Sequence, residues 1–125
     1  MPLLRSTLIV LLSLAAACGG PGSPTPTTGL TGTVVRGPIT PVCQPQVACD
    51  APFSAGFTVE RNGRQIAQFR SAADGTFTVW LSPGTYNVIP DADAPLLAPM
   101  SQLKTADVGT VGLTTVRLQF DTGIR

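Results

Sequence analysis

Histidine is absent from the 125 residues, lysine occurs once, at Lys104, and charged side chains make up only 12% of the chain. Without an imidazole, no standard base is on hand for a serine triad. No apolar run is long enough to span a membrane. The longest, residues 7–17, would make a helix of about 16 Å at ~1.5 Å per residue, against a bilayer core of roughly 30 Å. Nor is there an excess of either charge. Once residues 1–17 are set aside, seven basic and seven acidic side chains remain. That balance gives no electrostatic footprint for nucleic acid or for an anionic surface.

What is present begins with a leader. Residues 1–17 combine a basic start at Arg5, a short apolar centre and the small residues Ala15, Ala16 and Ala17. This is the plan of a secretory signal peptide, to be set aside before the fold is considered. Two processing routes fit. Ala15-Ala16-Ala17 satisfies the small-x-small rule of ordinary signal peptidase. The same residues followed by Cys18 resemble the lipobox of bacterial lipoproteins, although Ala15 stands where leucine is commonest. That resemblance implies a diacylglycerol on the Cys18 sulfur and acyl chains of the palmitate class as a membrane anchor. It is the preferred reading, because one acyl chain alone holds only marginally and two or three hold firmly.

Residues 18–29 then serve as a lipidated cysteine and linker. From Gly19 onward the segment has four glycines, three prolines and no charge. It is expected to stay extended and mobile, reaching roughly 35–40 Å if fully stretched, enough to carry the folded part clear of the headgroups. Residues 30–125 form the single domain for which there is room.

Three cysteines make an odd count. If Cys18 is acylated, Cys43 and Cys49 are left to pair as a disulfide, as befits an exported protein. A loop that short contributes roughly 2–3 kcal/mol, less any strain, in the chain-entropy account. A metal pair is the alternative, but structural zinc wants four cysteine or histidine ligands.

The domain reads as all-β. Gly, Pro, Asn and Asp punctuate it every eight to twelve residues. Strands are predicted over residues 30–36, 56–61, 65–70, 76–81, 85–89, 102–108 and 114–120. Asn62-Gly63, Asp74-Gly75 and Pro83-Gly84 mark turns, and no segment sustains a helical period with a cap. Seven strands in about 96 residues match an immunoglobulin-like sandwich in size.

The stretch from Ser71 to Val88, "SAADGTFTVWLSPGTYNV", resembles the carboxypeptidase regulatory-like and transthyretin-like modules. Their pattern is a "DG-x-F" hairpin, an apolar strand and "L-x-P-G-x-Y". Gly32-Thr33-Val34-Val35 and Phe57-Thr58-Val59-Glu60 also fall where those modules place strands. The resemblance implies a seven-stranded, prealbumin-like Greek-key sandwich. It implies no peptidase activity, because the module accompanies catalytic domains without doing chemistry.

Motifs with chemical connotations each have a plainer explanation. Asp121-Thr122-Gly123 spells the aspartic-protease triplet, but that chemistry needs two facing carboxylates. Lys104 in principle activates a serine, yet Ser54, Ser71, Ser82 and Ser101 sit in turn-like contexts. An isopeptide crosslink like that of some cell-wall sandwiches would need an early lysine and a late asparagine, which are lacking. Asp91 and Asp93 share a loop, but calcium takes six to eight oxygens. Tyr86 is expected in the core with its hydroxyl on nearby backbone, much as in a tyrosine corner. Trp80 lies opposite Phe77 and Val79 on its strand. Exposed, it would be a contact for a carbohydrate ring or a protein partner; covered, it is packing, which is preferred.

The expectation is therefore a non-catalytic envelope lipoprotein, exported and lipid-anchored at an outer membrane or cell surface. Neither catalytic residues, cofactor, metal nor nucleic-acid partner is expected. The sandwich would present its loops to a protein or glycan partner. The alternatives are a carbohydrate-binding module using Trp80 and an accessory domain of an envelope enzyme.

Overall fold

The computed structural model describes residues 25–125. The leader, Cys18 and most of the linker lie outside them. Two four-stranded sheets pack face to face as an all-β sandwich.

In the first sheet β1 (Gly29–Gly37) is central. On one side it pairs in parallel, over all nine residues, with β8 (Leu113–Asp121). Its other side is shared. β5 (Thr76–Trp80) runs antiparallel to the first half, from Gly29↔Trp80 to Thr33↔Thr76. The two-residue β2 (Ala51–Pro52) continues the edge at Val35 and Arg36. Proline donates no ladder hydrogen bond, so β2 stays short and at an edge. The second sheet has the order β4-β3-β6-β7 and is antiparallel throughout, with β3 (Gly56–Arg61), β4 (Arg64–Arg70), β6 (Gly84–Pro90) and β7 (Lys104–Val108).

Period-two alternation explains the layers. In β5 Phe77 and Val79 are buried while Thr76, Thr78 and Trp80 are exposed. Leu30 and Val34 of β1, Phe57 and Val59 of β3, Tyr86 and Val88 of β6, Ala106 and Val108 of β7, and Leu118 and Phe120 of β8 join them inside. Burying a side chain of this size contributes about 1.5–3 kcal/mol. All five phenylalanines meet. Phe69 stacks on Phe77 at 4.5 Å between ring centroids, and Phe57 lies 5.7 Å from Phe120. Both contacts join one sheet to the other.

The β3–β4 hairpin turns at Asn62 and Gly63, with φ of 55° and 76°. These are the two left-handed positions of a type I′ turn, whose twist matches that of its strands.

The structure departs from the sequence expectation in three places. Thr28 and Gly29, assigned above to the linker, belong to the fold. Gly29 opens β1, and Thr28 is buried with its hydroxyl donating to the Leu81 carbonyl at 2.6 Å. The Leu81 N–H returns a bond to the Thr28 carbonyl at 2.8 Å, which extends the β1–β5 ladder. β7 begins at Lys104 rather than residue 102. The Gln102 amide donates to the carbonyls of Leu97 and Asp121, at 2.6 and 2.8 Å, and accepts from the Asp121 N–H at 2.7 Å. A side chain thus clamps the end of β8 where a strand was expected. β2 is additional to the seven strands predicted.

Candidate functional site

Register assembles two features that alternation alone leaves scattered. On the outward face of the first sheet, Thr78, Thr31 and Thr115 form one cross-strand row, and Thr76, Thr33 and Arg117 the next. The Thr31 and Thr78 hydroxyls lie 3.0 Å apart. Together they line a shallow recess of about 770 Å³. Nothing in the sequence announced this face, because it needs the β1–β8 pairing.

The adjoining row carries Trp80, Gly29 and Leu113. Trp80 is 51% exposed. The preference for packing is therefore corrected: among the described residues no further layer covers this face, and residues 25–27 run beside the ring, leaving a recess of about 350 Å³. Leu113 and, two residues before it, Val111 are also exposed. This end of the sandwich is closed by the β3–β4, β5–β6 and β7–β8 connections. Arg61 and Arg64 flank the first of these. The Arg61 guanidinium sits 5.3 Å from the centre of the Tyr86 ring. Tyr86 itself is buried, and its hydroxyl donates to the Ser82 carbonyl at 2.7 Å, which ties β6 back to the turn before it.

The opposite end is built differently. Cys43 and Cys49 are joined in a disulfide with their Cα atoms 5.5 Å apart. Their loop exposes Val42 and Val47. A groove of about 580 Å³ runs between this loop, β7 and β8, past Asp50, Lys104, Asp121 and Arg125. Arg117 bridges Asp50 at 3.0 Å and Arg125 bridges Asp121 at 2.9 Å.

The remaining motif residues are engaged in structure. The Asp121 carboxyl is pulled down to about 2, first by the hydrogen bond from Arg125 and then by the Gly123 N–H; the same pair raises Arg125. Asp74 is lowered by bonds from the Thr76 hydroxyl and N–H, at 2.6 and 3.0 Å, which close the Asp74-Gly75 turn. The Ser71 hydroxyl is buried and bonds Phe53 and Ala55 backbone. Lys104 lies over the Phe120 ring at 5.5 Å. Asp91 takes a long bond from Thr58, while Asp93 is exposed. Among the described residues no group of three or more His, Cys, Asp or Glu converges on a metal position. Cys18 lies outside the described residues.

No family model matches the chain, and no curated protein matches it in sequence.

Proposed function

We propose that the chain is an exported lipoprotein, anchored at an outer membrane or cell surface by acyl groups on Cys18, whose sandwich is a non-catalytic interaction module. The observation that carries this is the Cys43–Cys49 disulfide. Structural disulfides belong to oxidising compartments, and this one leaves Cys18 as the unpaired cysteine directly after a signal-type leader. With the two-residue β2 set aside, the remaining seven strands are read as an immunoglobulin-like, prealbumin-like Greek-key sandwich. Support comes from the parallel pairing of β8 with β1 and from the chain crossing between sheets after β2, β4, β5 and β7. Asp74, spent on turn closure, and the surface ion pairs Arg117–Asp50 and Arg125–Asp121 support a presenting rather than a reacting role.

Intact mass of the protein from a membrane fraction tests the proposal. The expected species lacks residues 1–17, carries acyl and glyceryl groups on Cys18, and is two hydrogens lighter for the disulfide. A soluble chain with a free thiol at residue 18 overturns it. The exposure of Trp80 beside the threonine face favours a second reading, glycan binding through that ring.

A further inference from the structure

The two ends of the sandwich differ in where their carboxylates stand. Five carboxylates, those of Asp50, Asp74, Asp91, Asp93 and Asp121, lie in or beside the connections at the end holding the disulfide loop, where Arg36, Arg70, Lys104, Arg117 and Arg125 offset them. The end where residue 25 enters has none in its three turns, which read Asn62-Gly63, Leu81-Ser82-Pro83 and Gly109-Thr110-Val111-Gly112. The nearest acids are Glu60, inside β3, and Asp107, which already accepts from Thr85 at 2.6 Å. Arg61 and Arg64 border this end, and the β7–β8 connection exposes apolar side chains beside them. Val111 is 86% exposed and Leu113 39%. Leu113 stands two strand spacings from Trp80 across Gly29, or ~10 Å. An indole prefers the boundary between hydrocarbon and water, and arginine prefers anionic headgroups.

Chain length limits which end can meet a bilayer. Seven residues lead from Cys18 to Thr25, and at ~3.3–3.6 Å each they reach at most about 25 Å. A nine-residue strand such as β8 is about 30 Å long at ~3.3 Å per residue. A chain held at Cys18 therefore cannot stand upright on its disulfide end on the membrane that holds it. We propose that the entry end, Trp80, Val111 and Leu113 flanked by Arg61 and Arg64, seats on a bilayer surface containing anionic lipid. The sandwich then stands with its disulfide loop outward rather than floating clear on its linker. The inference rests on the anchoring of Cys18 for its tether.

Trp80 is the only tryptophan, so its emission reports this surface alone. The test holds the full chain at Cys18 on phosphatidylcholine vesicles, with or without phosphatidylglycerol, some lipids carrying bromine in the upper acyl chain. Native acyl groups hold it; where Cys18 is recovered free, its thiol is coupled to a maleimide lipid. The anchoring reading can thus fail while docking is still measured. The expected result is a blue shift, quenching of Trp80 by about twofold and matching protection from acrylamide. All three should be stronger with phosphatidylglycerol. Arg61→Glu with Arg64→Glu should remove the lipid dependence and Val111→Asp most of the quenching, whereas Val42→Asp at the far end changes neither. Circular dichroism confirms that each variant is folded. Trp80 remaining as open to acrylamide on vesicles as in solution overturns the proposal. So does shielding without vesicles that rises with protein concentration, which means a second copy, or that saturates with added cell-wall glycan.

Discussion

The two ends of the sandwich solve the same problem in opposite ways. Where residue 25 enters, strands are joined by tight turns, and the core beneath is aliphatic: Leu30, Val79, Leu81 and Val108, with Tyr86 hydrogen-bonded to the turn at Ser82. At the other end the connections are long, including residues 38–50 and 91–103. There the chain spends its five phenylalanines and its disulfide. Short turns of suitable sequence largely specify themselves. Long loops carry a larger entropy of ordering and need a dense core and a crosslink to sit on. The difference teaches that aromatic packing and the crosslink are concentrated at the disulfide end, while the entry end exposes Trp80, Val111 and Leu113.

The largest test of that contrast is Phe57→Ala. Phe57 is 1% exposed and touches the rings of Phe53, Phe69 and Phe120. Truncation opens a cavity between the sheets and should cost about 3–5 kcal/mol, read as a fall in the urea midpoint. Val79→Ala, at the entry half, removes less volume from an aliphatic neighbourhood and should cost clearly less. Equal losses would mean that the two halves of the core carry equal weight.

A smaller effect compares one glycine from each end. Gly63, in the entry-end hairpin turn, has φ of 76° with open space around its Cα. Gly63→Ala is opposed only by backbone conformation, about 1 kcal/mol. Gly75, in the turn at the far end, has φ of 81°, and an added Cβ would also lie 2.6 Å from the Val34 carbonyl and 2.8 Å from Pro52. Since the Val34 N–H donates to the Gly75 carbonyl at 2.9 Å, that crowding strikes the seam where β2 takes over from β5 along β1. Gly75→Ala should cost at least twice as much as Gly63→Ala in the same denaturation. The reverse order would mean that the far-end turn yields more easily than its packing implies.

The all-β class and most strand positions were legible because alternation and turn chemistry are local. Phe77 and Val79 against Thr76 and Thr78, or Asn62-Gly63 between two strands, carry their structural meaning within a few residues. Adjacency is not local. Nothing within residues 29–37 or 113–121 says that these segments lie side by side in parallel, so neither the threonine face nor the Trp80–Leu113 row was readable. Trp80 shows the limit well. Alternation put it on the threonine side of its strand, but whether another layer covers that side depends on the whole fold. Ala51–Pro52 was too short and too proline-bound to read as a strand. Gln102 resembled a strand residue because its clamp on β8 is made by side-chain atoms, which leave no periodic trace. The candidate membrane-facing end joins residues in or beside three separate connections, and only the fold brings those together.

The smallest expected effect lies at the outer end and depends on pH. Arg125 bonds Asp121 at 2.9 Å, and the Gly123 N–H bonds the same carboxylate at 2.8 Å. The pair holds the Asp121 carboxyl at about 2, below its ordinary value of 3.8. A carboxyl that is more acidic in the folded chain adds stability above its unfolded pKa and loses that contribution as pH falls through its folded one. The Asp121 contribution should thus be complete at pH 5, decline below about 4 and vanish only as pH falls below about 2. Both side chains are open to water and to salt, so the effect is small. Asp74, lowered by Thr76, gives a decline of the same sign. Asp121→Asn should therefore flatten, without abolishing, the fall in urea midpoint between pH 5 and pH 2, and added salt should shrink the difference from the parent chain. An unchanged slope in Asp121→Asn would show that the Arg125 tail does not hold its partner in solution. The ordering of the outer end would then rest on its phenylalanines and its disulfide alone.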